Sequence, residues 1–150
     1  EAQCVLHAHP PNTTGMAVAG REIDPCIIAE AVVSLGDKIP LAAYALPGTE
    51  ASVDVLDSLF PYYDVVVLEN HGVLAVGDNP EQAFLRMELC EHLATITLAA
   101  EQAGGARRIP QADIDRLLFK RTKAGLGPEA RGLELPKNTT LVGPCSGPIN

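Results

Sequence analysis

Two short apolar segments rich in β-branched residues, only three residues apart, limit the folds open to this chain more than any other feature. Residues 64–69 and 73–76 both have the composition and length of buried strands. Between them, Asn70-His71-Gly72 forms a tight connection, because asparagine and glycine adopt the backbone conformations that short turns require. The pattern therefore predicts two strands that are neighbours in one sheet.

A long helix is predicted directly after the second strand. Asp78 or Asn79 can cap its first turn, Pro80 suits the first helical position, and Gln82 stands where a capping-box partner lies. Apolar residues then recur at steps of three and four until the glycines at 104–105 end the pattern. These apolar positions are Ala83, Met87, Cys90, Ala94, Thr97 and Leu98. We expect this helix to share one core with the two strands.

Weaker signals predict the remaining elements. Pro10-Pro11 ends a strand, because proline cannot donate a hydrogen bond to a neighbouring strand. Asp24-Pro25 begins a helix, with aspartate as the cap and proline at the first position. The other predicted strands are residues 2–9 and 39–46, and the other predicted helices are residues 25–35, 49–60 and 111–123. Residues 126–150 contain many glycines and prolines and are predicted to form an extended tail.

Composition and charge indicate a domain that binds a small molecule. The 150 residues suit a single domain, and the net charge of −8 opposes binding to nucleic acid and to anionic membranes. No apolar run approaches the roughly 20 residues of a transmembrane helix, and no secretory signal is visible. The four scattered cysteines form no C-x-x-C pair and are expected to stay reduced. We therefore expect a cytoplasmic protein with no nucleic-acid or membrane partner.

Two of the four histidines lie in the sequence His7-Ala8-His9, within the first predicted strand. Residues i and i+2 of a strand point to the same face, so both imidazole rings can reach one point, as the ligands of a metal ion must. Two histidines on one face also occur in strands that bind nothing. The spacing alone therefore leaves both interpretations open.

His71 is the third candidate ligand, because a turn between two apolar strands restricts where its side chain can lie. Three neutral imidazoles leave one open position on a tetrahedral zinc ion, as a catalytic site requires. The alternative is a turn residue that caps its own backbone. The three histidines together favour the metal interpretation. His92, which lies beside Glu88 and Glu91 in the long helix, is predicted to be a packed or surface residue.

Three sequence segments stand out by their combination and their order. They are His-Ala-His-Pro-Pro at 7–11, Ile-Pro-Leu-Ala-Ala-Tyr at 39–44, and Glu-Asn-His-Gly-Val-Leu-Ala-Val-Gly at 69–77, which precedes the long helix. In this combination the chain resembles the class II aldolase/adducin family, most closely its aldolases of the L-fuculose-phosphate type. The resemblance extends from Ala2 to Leu118 and does not account for the tail.

The resemblance implies an α/β fold, in the form of a three-layer α/β/α domain with a mostly antiparallel central sheet. Residues 1–125 would form the C-terminal two-thirds of that domain. It further implies Zn²⁺, or another divalent metal, bound by His7, His9 and His71. It also implies a homotetramer with active sites at the subunit interfaces, in which Tyr44 serves as proton donor to a neighbouring subunit. The alternative for Tyr44 is a strand tyrosine that simply packs.

The activity implied by the resemblance is the reversible cleavage of a ketose 1-phosphate, such as L-fuculose 1-phosphate, into dihydroxyacetone phosphate and an aldehyde. The Pro-Pro pair after His9 favours this aldolase branch. The alternatives within the family are a pentulose-phosphate 4-epimerase, a methylthioribulose-phosphate dehydratase and a non-catalytic module like that of adducin. A metal-dependent hydrolase outside the family is a further alternative, because three histidines can also hold a zinc ion that activates water.

The beginning of the chain departs from the family pattern. The first residue is Glu1 and not methionine, so we expect a fragment or a processed product. In the family, the turns that hold the substrate phosphate and the glutamate that serves as catalytic base both precede the His-x-His sequence. This chain has neither, since Glu1 is too close to His7 to be that glutamate. The resemblance therefore predicts metal ligands without the catalytic base.

We expect residues 1–150, when loaded with zinc, to bind the metal but to turn over fuculose 1-phosphate slowly. The reason is that loss of a general base commonly lowers a rate about 10²–10⁴-fold. The measurement compares this turnover with that of a version extended upstream by about 80–90 residues, enough to complete a typical domain. Equal rates would place an acid or base within this chain, and Glu69 and Tyr44 would be the first residues to mutate.

Overall fold

The computed structural model of the chain describes residues 3–134. Within these residues the sheet contains four strands, which are β1 (Cys4–Ala8), β2 (Leu41–Ala42), β3 (Val65–Leu68) and β4 (Gly72–Gly77). Their order across the sheet is β1-β4-β3-β2. Strand β4 runs antiparallel to both of its neighbours, whereas β2 runs parallel to β3. The central sheet is therefore mixed but mostly antiparallel, as predicted.

Five α-helices accompany the sheet in the same part of the chain. They are α1 (Pro11–Val18), α2 (Ala29–Leu35), α3 (Glu50–Leu59), α4 (Pro80–Gln102) and α5 (Gln111–Lys123). Short 3-10 turns occur at Pro25–Ile27 and Glu129–Arg131. None of the helices in residues 3–134 has both the length and the apolar character needed to cross a membrane.

The long helix α4 begins with the capping arrangement that its sequence predicts. The side chain of Asn79 accepts a hydrogen bond from the backbone N–H of Gln82 at 2.9 Å. In return, Oε1 of Gln82 accepts one from the backbone N–H of Asp78 at 2.7 Å. These two bonds satisfy N–H groups that have no partner within the helix or just before it. Local sequence therefore determines where α4 starts.

Helices cover both faces of the sheet and produce the predicted three-layer α/β/α arrangement. Val65 and Val67 of β3 lie in the main core together with Leu93 of α4. Val66, between them, points to the opposite face and packs in a cluster with Leu59 of α3. This alternation is the normal consequence of the period of two in a strand. The prediction that the two strands and the long helix share one core is confirmed.

The strand predicted at residues 39–46 is wrong over most of its length. Only Leu41–Ala42 pairs with β3, because β3 ends at Leu68 and offers few groups for further pairing. In the last hydrogen bond between the two strands, the backbone N–H of Glu69 donates to the carbonyl of Ala42 at 3.0 Å. Residues 43–46, which suggested a longer strand, instead lie in the loop between β2 and α3.

Helix α1 is an element that the sequence does not predict. Its first half contains Thr13, Thr14 and Gly15, which all have low helix propensity. Tertiary packing compensates, because Met16 and Ala17 are buried in the main core with residues of α4. The helix therefore depends on its contact with α4 more than on its own sequence.

The helix predicted from Pro25 is divided into two parts. Asp24 caps the segment as predicted, since its side chain accepts a hydrogen bond from the N–H of Cys26 at 2.9 Å. The capped segment is a 3-10 turn, however, and the regular helix α2 begins only at Ala29. Ile28 lies between them in an extended conformation, with φ of −136° and ψ of 128°.

The buried carboxylate of Asp64 connects the C-terminal elements of the described chain to helix α4. Asp64 accepts a hydrogen bond at 2.7 Å from Arg121 of α5, which is 2% exposed. It also forms ion pairs with Arg86 of α4 at 3.2 Å and with Arg131 at 3.6 Å. Buried charges require such partners, because desolvation without them is costly.

The contact with Arg131 lies at the start of the predicted tail. Within residues 126–134 the structure contains the 3-10 turn at Glu129–Arg131, and Leu133 donates its backbone N–H to the carbonyl of Pro128 at 2.9 Å. Residues 135–150 lie outside the described part of the chain, so the extended conformation predicted for them stays a prediction.

Replacing Leu93 with alanine is expected to reduce the free energy of unfolding by roughly 2–5 kcal/mol, because its fully buried side chain leaves a cavity in the main core. The measurement is urea unfolding followed by circular dichroism. The matched control is Leu85→Ala on the same helix, where the side chain is 53% exposed and the expected change is about 0.5 kcal/mol or less. Equal losses in the two variants would contradict the packing described for α4.

Candidate metal centre

The pairing of β1 with β4 brings the first two candidate histidines to the turn that carries the third. His7 lies opposite Leu74 in the antiparallel register, and His9 follows directly after the end of β1. His71 lies in the β3–β4 turn, where its backbone N–H donates to the carbonyl of Leu68 at 3.2 Å. The structure therefore brings His71 next to His7 and His9, which precede it by more than 60 residues in the sequence.

The three rings face one another. The centroid of the His7 ring lies 4.8 Å from that of His9 and 4.8 Å from that of His71, and the His9 and His71 centroids are 5.3 Å apart. One ring nitrogen from each residue lies within 4.8 Å of the other two. Among residues 3–134, no other group of three histidine, cysteine or acidic side chains is placed to share a metal ion in this way.

A hydrogen bond determines which nitrogen of His7 faces the cluster. Its Nδ1–H donates to the carbonyl of Val73 at 3.0 Å, so the lone pair of the neutral ring is at Nε2. This Nε2 lies 3.1 Å from Nε2 of His9. Two ligands of a tetrahedral zinc ion with bonds of 2.0–2.1 Å lie about 3.3 Å apart. The separation observed for His7 and His9 is therefore close to what such an ion requires.

The turn that presents His71 depends on unusual backbone geometry. Asn70 has a φ of 56°, in the left-handed region that asparagine tolerates better than most residues. Gly72, on the other side of His71, leaves room for the His9 ring. A Cβ atom at Gly72 would lie 2.4 Å from Cδ2 of His9 and 2.6 Å from the carbonyl oxygen of Ala8. The close approach of His9 and Ala8 therefore favours glycine at position 72, whereas the turn itself favours asparagine at position 70.

The surroundings of His71 favour its neutral form. Partial burial lowers the pKa of the His71 imidazole below its ordinary value, and the neighbouring rings of His7 and His9 lower it further. A neutral imidazole has the lone pair that a metal ligand needs. The lowered pKa therefore favours the form of His71 that can act as a metal ligand.

The predicted catalytic residue Tyr44 lies in the loop after β2. Its backbone N–H donates to Oε2 of Glu69 at 2.9 Å, which connects this loop to the residues just before the His71 turn. Tyr44 is 55% exposed and is therefore not packed in the core of this chain. Its role as a proton donor stays a prediction.

A cavity of about 330 Å³ opens beside the histidine cluster, with His7, His71 and Glu69 at its border. The other lining residues are mostly small or apolar. They are Ala42, Ala43, Ala45, Pro47, Gly48, Ser52, Val55, Leu56, Leu68 and Leu74. Among residues 3–134, no lysine or arginine lines the cavity. The cavity therefore favours an uncharged group next to the cluster.

Sequence reasoning missed the contributions of Gly72 and Glu69. The signal for Gly72 was its position directly after His71. The ring that Gly72 accommodates, however, is that of His9, which is far away in the sequence. No local pattern indicated that Glu69 would bind the backbone of the loop at Tyr44. His92, in contrast, is exposed on α4 and lies outside the cluster, in agreement with its prediction.

The donor set of this cluster is chemically suited to a divalent transition metal. It consists of three imidazoles and leaves a further coordination position, which is the pattern of catalytic rather than structural zinc sites. The hydrogen bond from His7 to the carbonyl of Val73 is the kind of outer contact that orients metal ligands.

Comparison with known proteins identifies the family. Residues 1–98 match the family model described as the class II aldolase and adducin N-terminal domain. The chain is also 33% identical to alpha-adducin of Mus musculus in an alignment of 134 residues that covers 83% of this chain. The chain therefore belongs to the class II aldolase and adducin family.

Two aldolases are among the similar proteins. The 5-deoxy-D-ribulose 1-phosphate aldolase of Bacillus thuringiensis is 24% identical over 120 residues, or 80% of this chain. A solved structure of an L-fuculose 1-phosphate aldolase is 25% identical, with a TM-score of 0.70 and coverage of 77% of this chain and 54% of that one. The aligned region is 55% of the Bacillus aldolase and 17% of alpha-adducin. The chain thus spans only part of these relatives.

Replacing Gly72 with alanine is expected to destabilise the protein by roughly 1–3 kcal/mol, because the new methyl group would overlap the backbone of Ala8 and push the His9 ring aside. Urea unfolding measures the stability, and the NMR signals of the His9 ring report its displacement. The control is Gly15→Ala in α1, where a Cβ atom meets nothing within 4 Å. An unshifted His9 signal in the Gly72 variant would contradict the close approach described here.

Proposed function

We propose that this chain is part of a zinc-dependent class II aldolase that cleaves a ketose 1-phosphate, such as L-fuculose 1-phosphate, into dihydroxyacetone phosphate and an aldehyde. His7, His9 and His71 would hold the metal. The observation that carries this proposal is the convergence of one ring nitrogen from each histidine, all within 4.8 Å of one another. Another divalent metal in place of zinc fits the same three ligands.

The chemistry of the proposed reaction fits the residues around the cluster. A metal held by His7, His9 and His71 would supply Lewis-acid chemistry next to the hydroxyl and carbonyl oxygens of the substrate. The hydrogen bond to Val73 would keep Nε2 of His7 directed at the metal. The uncharged carbon chain of the substrate would occupy the apolar cavity beside the cluster. Tyr44 is the proposed proton donor.

The names of two relatives support a phosphorylated sugar as the substrate. One is a 5-deoxy-D-ribulose 1-phosphate aldolase and the other an L-fuculose 1-phosphate aldolase. A pentulose-phosphate 4-epimerase or a methylthioribulose-phosphate dehydratase of the same family is the alternative enzyme, because each would use similar metal chemistry. We further propose a cytoplasmic homotetramer with its active sites at the subunit interfaces.

A non-catalytic, adducin-like module is the second candidate function. The specific observation in its favour is the 33% identity to alpha-adducin, which is higher than the 24% identity to the Bacillus aldolase. The three histidines oppose it, because a module without metal chemistry has no need for three converging imidazoles. Metal binding therefore distinguishes the two candidates.

Replacing His71 with alanine is expected to weaken zinc binding by about 100-fold or more, because the loss of a ligand exceeds the 10–100-fold effect of losing an outer contact. Calorimetric titration of the chain with Zn²⁺ measures the affinity, and His92→Ala is the control because His92 is exposed outside the cluster. Release of aldehyde from ketose 1-phosphates by the upstream-extended version tests the reaction itself. Equal zinc affinities in the two variants would refute the metal site, whereas zinc binding without aldehyde release would refute the aldolase.

A further inference from the structure

The carboxylate of Glu91, on α4, accepts four hydrogen bonds from the first turn of α1. Its Oε1 accepts from the backbone N–H and the side-chain Nδ2 of Asn12, at 3.0 and 2.8 Å. Its Oε2 accepts from the backbone N–H and the side-chain Oγ1 of Thr13, at 2.8 and 2.9 Å. Glu91 and this turn are separated by 78 or 79 residues in the sequence. The contact is therefore entirely tertiary.

Glu91 replaces a cap that the local sequence lacks. Helix α1 begins at Pro11, and its N-cap residue, Pro10, has no side chain that can accept a hydrogen bond. The N–H groups of the first turn have no partner inside the helix and need an acceptor, and a negative charge there is favourable to the helix dipole. Burial raises the pKa of the Glu91 carboxyl, but the bonds from Asn12 and Thr13 outweigh that effect and lower its pKa overall.

The capped turn is attached to His9 through a single residue. Only Pro10 separates His9 from the first residue of α1, and both Pro10 and Pro11 have φ restricted by their rings. This connection has little freedom to absorb a movement of α1. A shift of the first turn therefore moves the backbone of His9.

Apart from its close approach to Gly72, the His9 ring has few contacts that could hold it in place. Among residues 3–134 its one hydrogen bond is to Nε2 of His7, at 3.1 Å. His7, in contrast, is additionally oriented by the carbonyl of Val73. The location of the His9 ring consequently depends on where its backbone lies.

We propose that Glu91 is a positioning residue of the metal centre, which holds His9 in place by fixing the first turn of α1 against α4. This inference rests on the proposed metal site of His7, His9 and His71. Glu91 does not contact the metal in this proposal. It acts through Asn12 and the two prolines.

The chain contains a matched control for this effect. Arg21, just after the other end of α1, forms an ion pair with Glu101, which also lies on α4. Both glutamates therefore connect the α1 region to the same helix. Only Glu91 acts at the end next to His9, and the Arg21–Glu101 pair is largely exposed, where ion pairs contribute little.

The experiment compares Glu91→Gln with Glu101→Gln in the full chain. The glutamine side chain is almost isosteric, but its NH₂ group would face the N–H donors of Asn12 or Thr13, so the first turn would be displaced. We expect Glu91→Gln to weaken Zn²⁺ binding about tenfold, at the low end of the effect of outer contacts on metal affinity. The visible absorption of bound Co²⁺ is expected to change as well, because it reports the coordination geometry. Glu101→Gln is expected to change neither.

A second variant, Asn12→Ala, keeps the test decisive if Glu91→Gln does not fold. It removes the side-chain hydrogen bonds from Asn12 to Glu91 and to Thr95, both on α4, and leaves the carboxylate in place. It is expected to weaken Zn²⁺ binding by about threefold, a fraction of the effect expected for an entire outer contact. If Glu91→Gln folds and its Zn²⁺ affinity and Co²⁺ absorption are unchanged, the inference is overturned although the metal site stands. If only Asn12→Ala folds, unchanged values in that variant overturn the inference in the same way. Absence of Zn²⁺ binding by the unaltered chain would overturn both.

Discussion

Strand β4 pairs with β1 along one side and with β3 along the other, and the histidine cluster depends on this double pairing. The β1–β4 register places His7 opposite Leu74, two residues beyond Gly72, at the turn that carries His71. A shift of one residue would turn the His7 side chain to the opposite face of the sheet. The close approach of β1 to the turn also explains why glycine follows His71, since the His9 ring occupies the space of a Cβ atom.

Helix α4 supports this arrangement from one face of the sheet. It packs against β1, β3 and β4 through a core that includes Leu93, and it reaches the first turn of α1 through Glu91. At its other side, Arg86 pairs with Asp64, whose buried carboxylate also binds Arg121 of α5. One helix thus connects the strand that carries the histidines, the helix that follows them and the C-terminal part of the described chain.

The elements that sequence patterns predicted well are those whose signals are local. The start of α4 is determined by Asn79 and Gln82, which interact with backbone groups a few residues away. The strands β3 and β4 follow from β-branched residues and a short turn. Residues 39–46 were misassigned because an apolar segment has no intrinsic strand length, which here depends on how far β3 extends. Helix α1 was missed because its stability comes from α4 and not from its own residues.

For the candidate site, the sequence by itself determined the types of ligand and the local geometry around each of them. The spacing of His7 and His9 directs both rings to the same side at the end of β1, and the turn at Asn70 restricts His71. Only the tertiary structure decided that the three rings converge, because convergence depends on the pairing of strands far apart in the chain. It also decided that Glu91 caps α1, since a carboxylate in the middle of a helix carries no local sign of the N–H groups that it will meet across the fold.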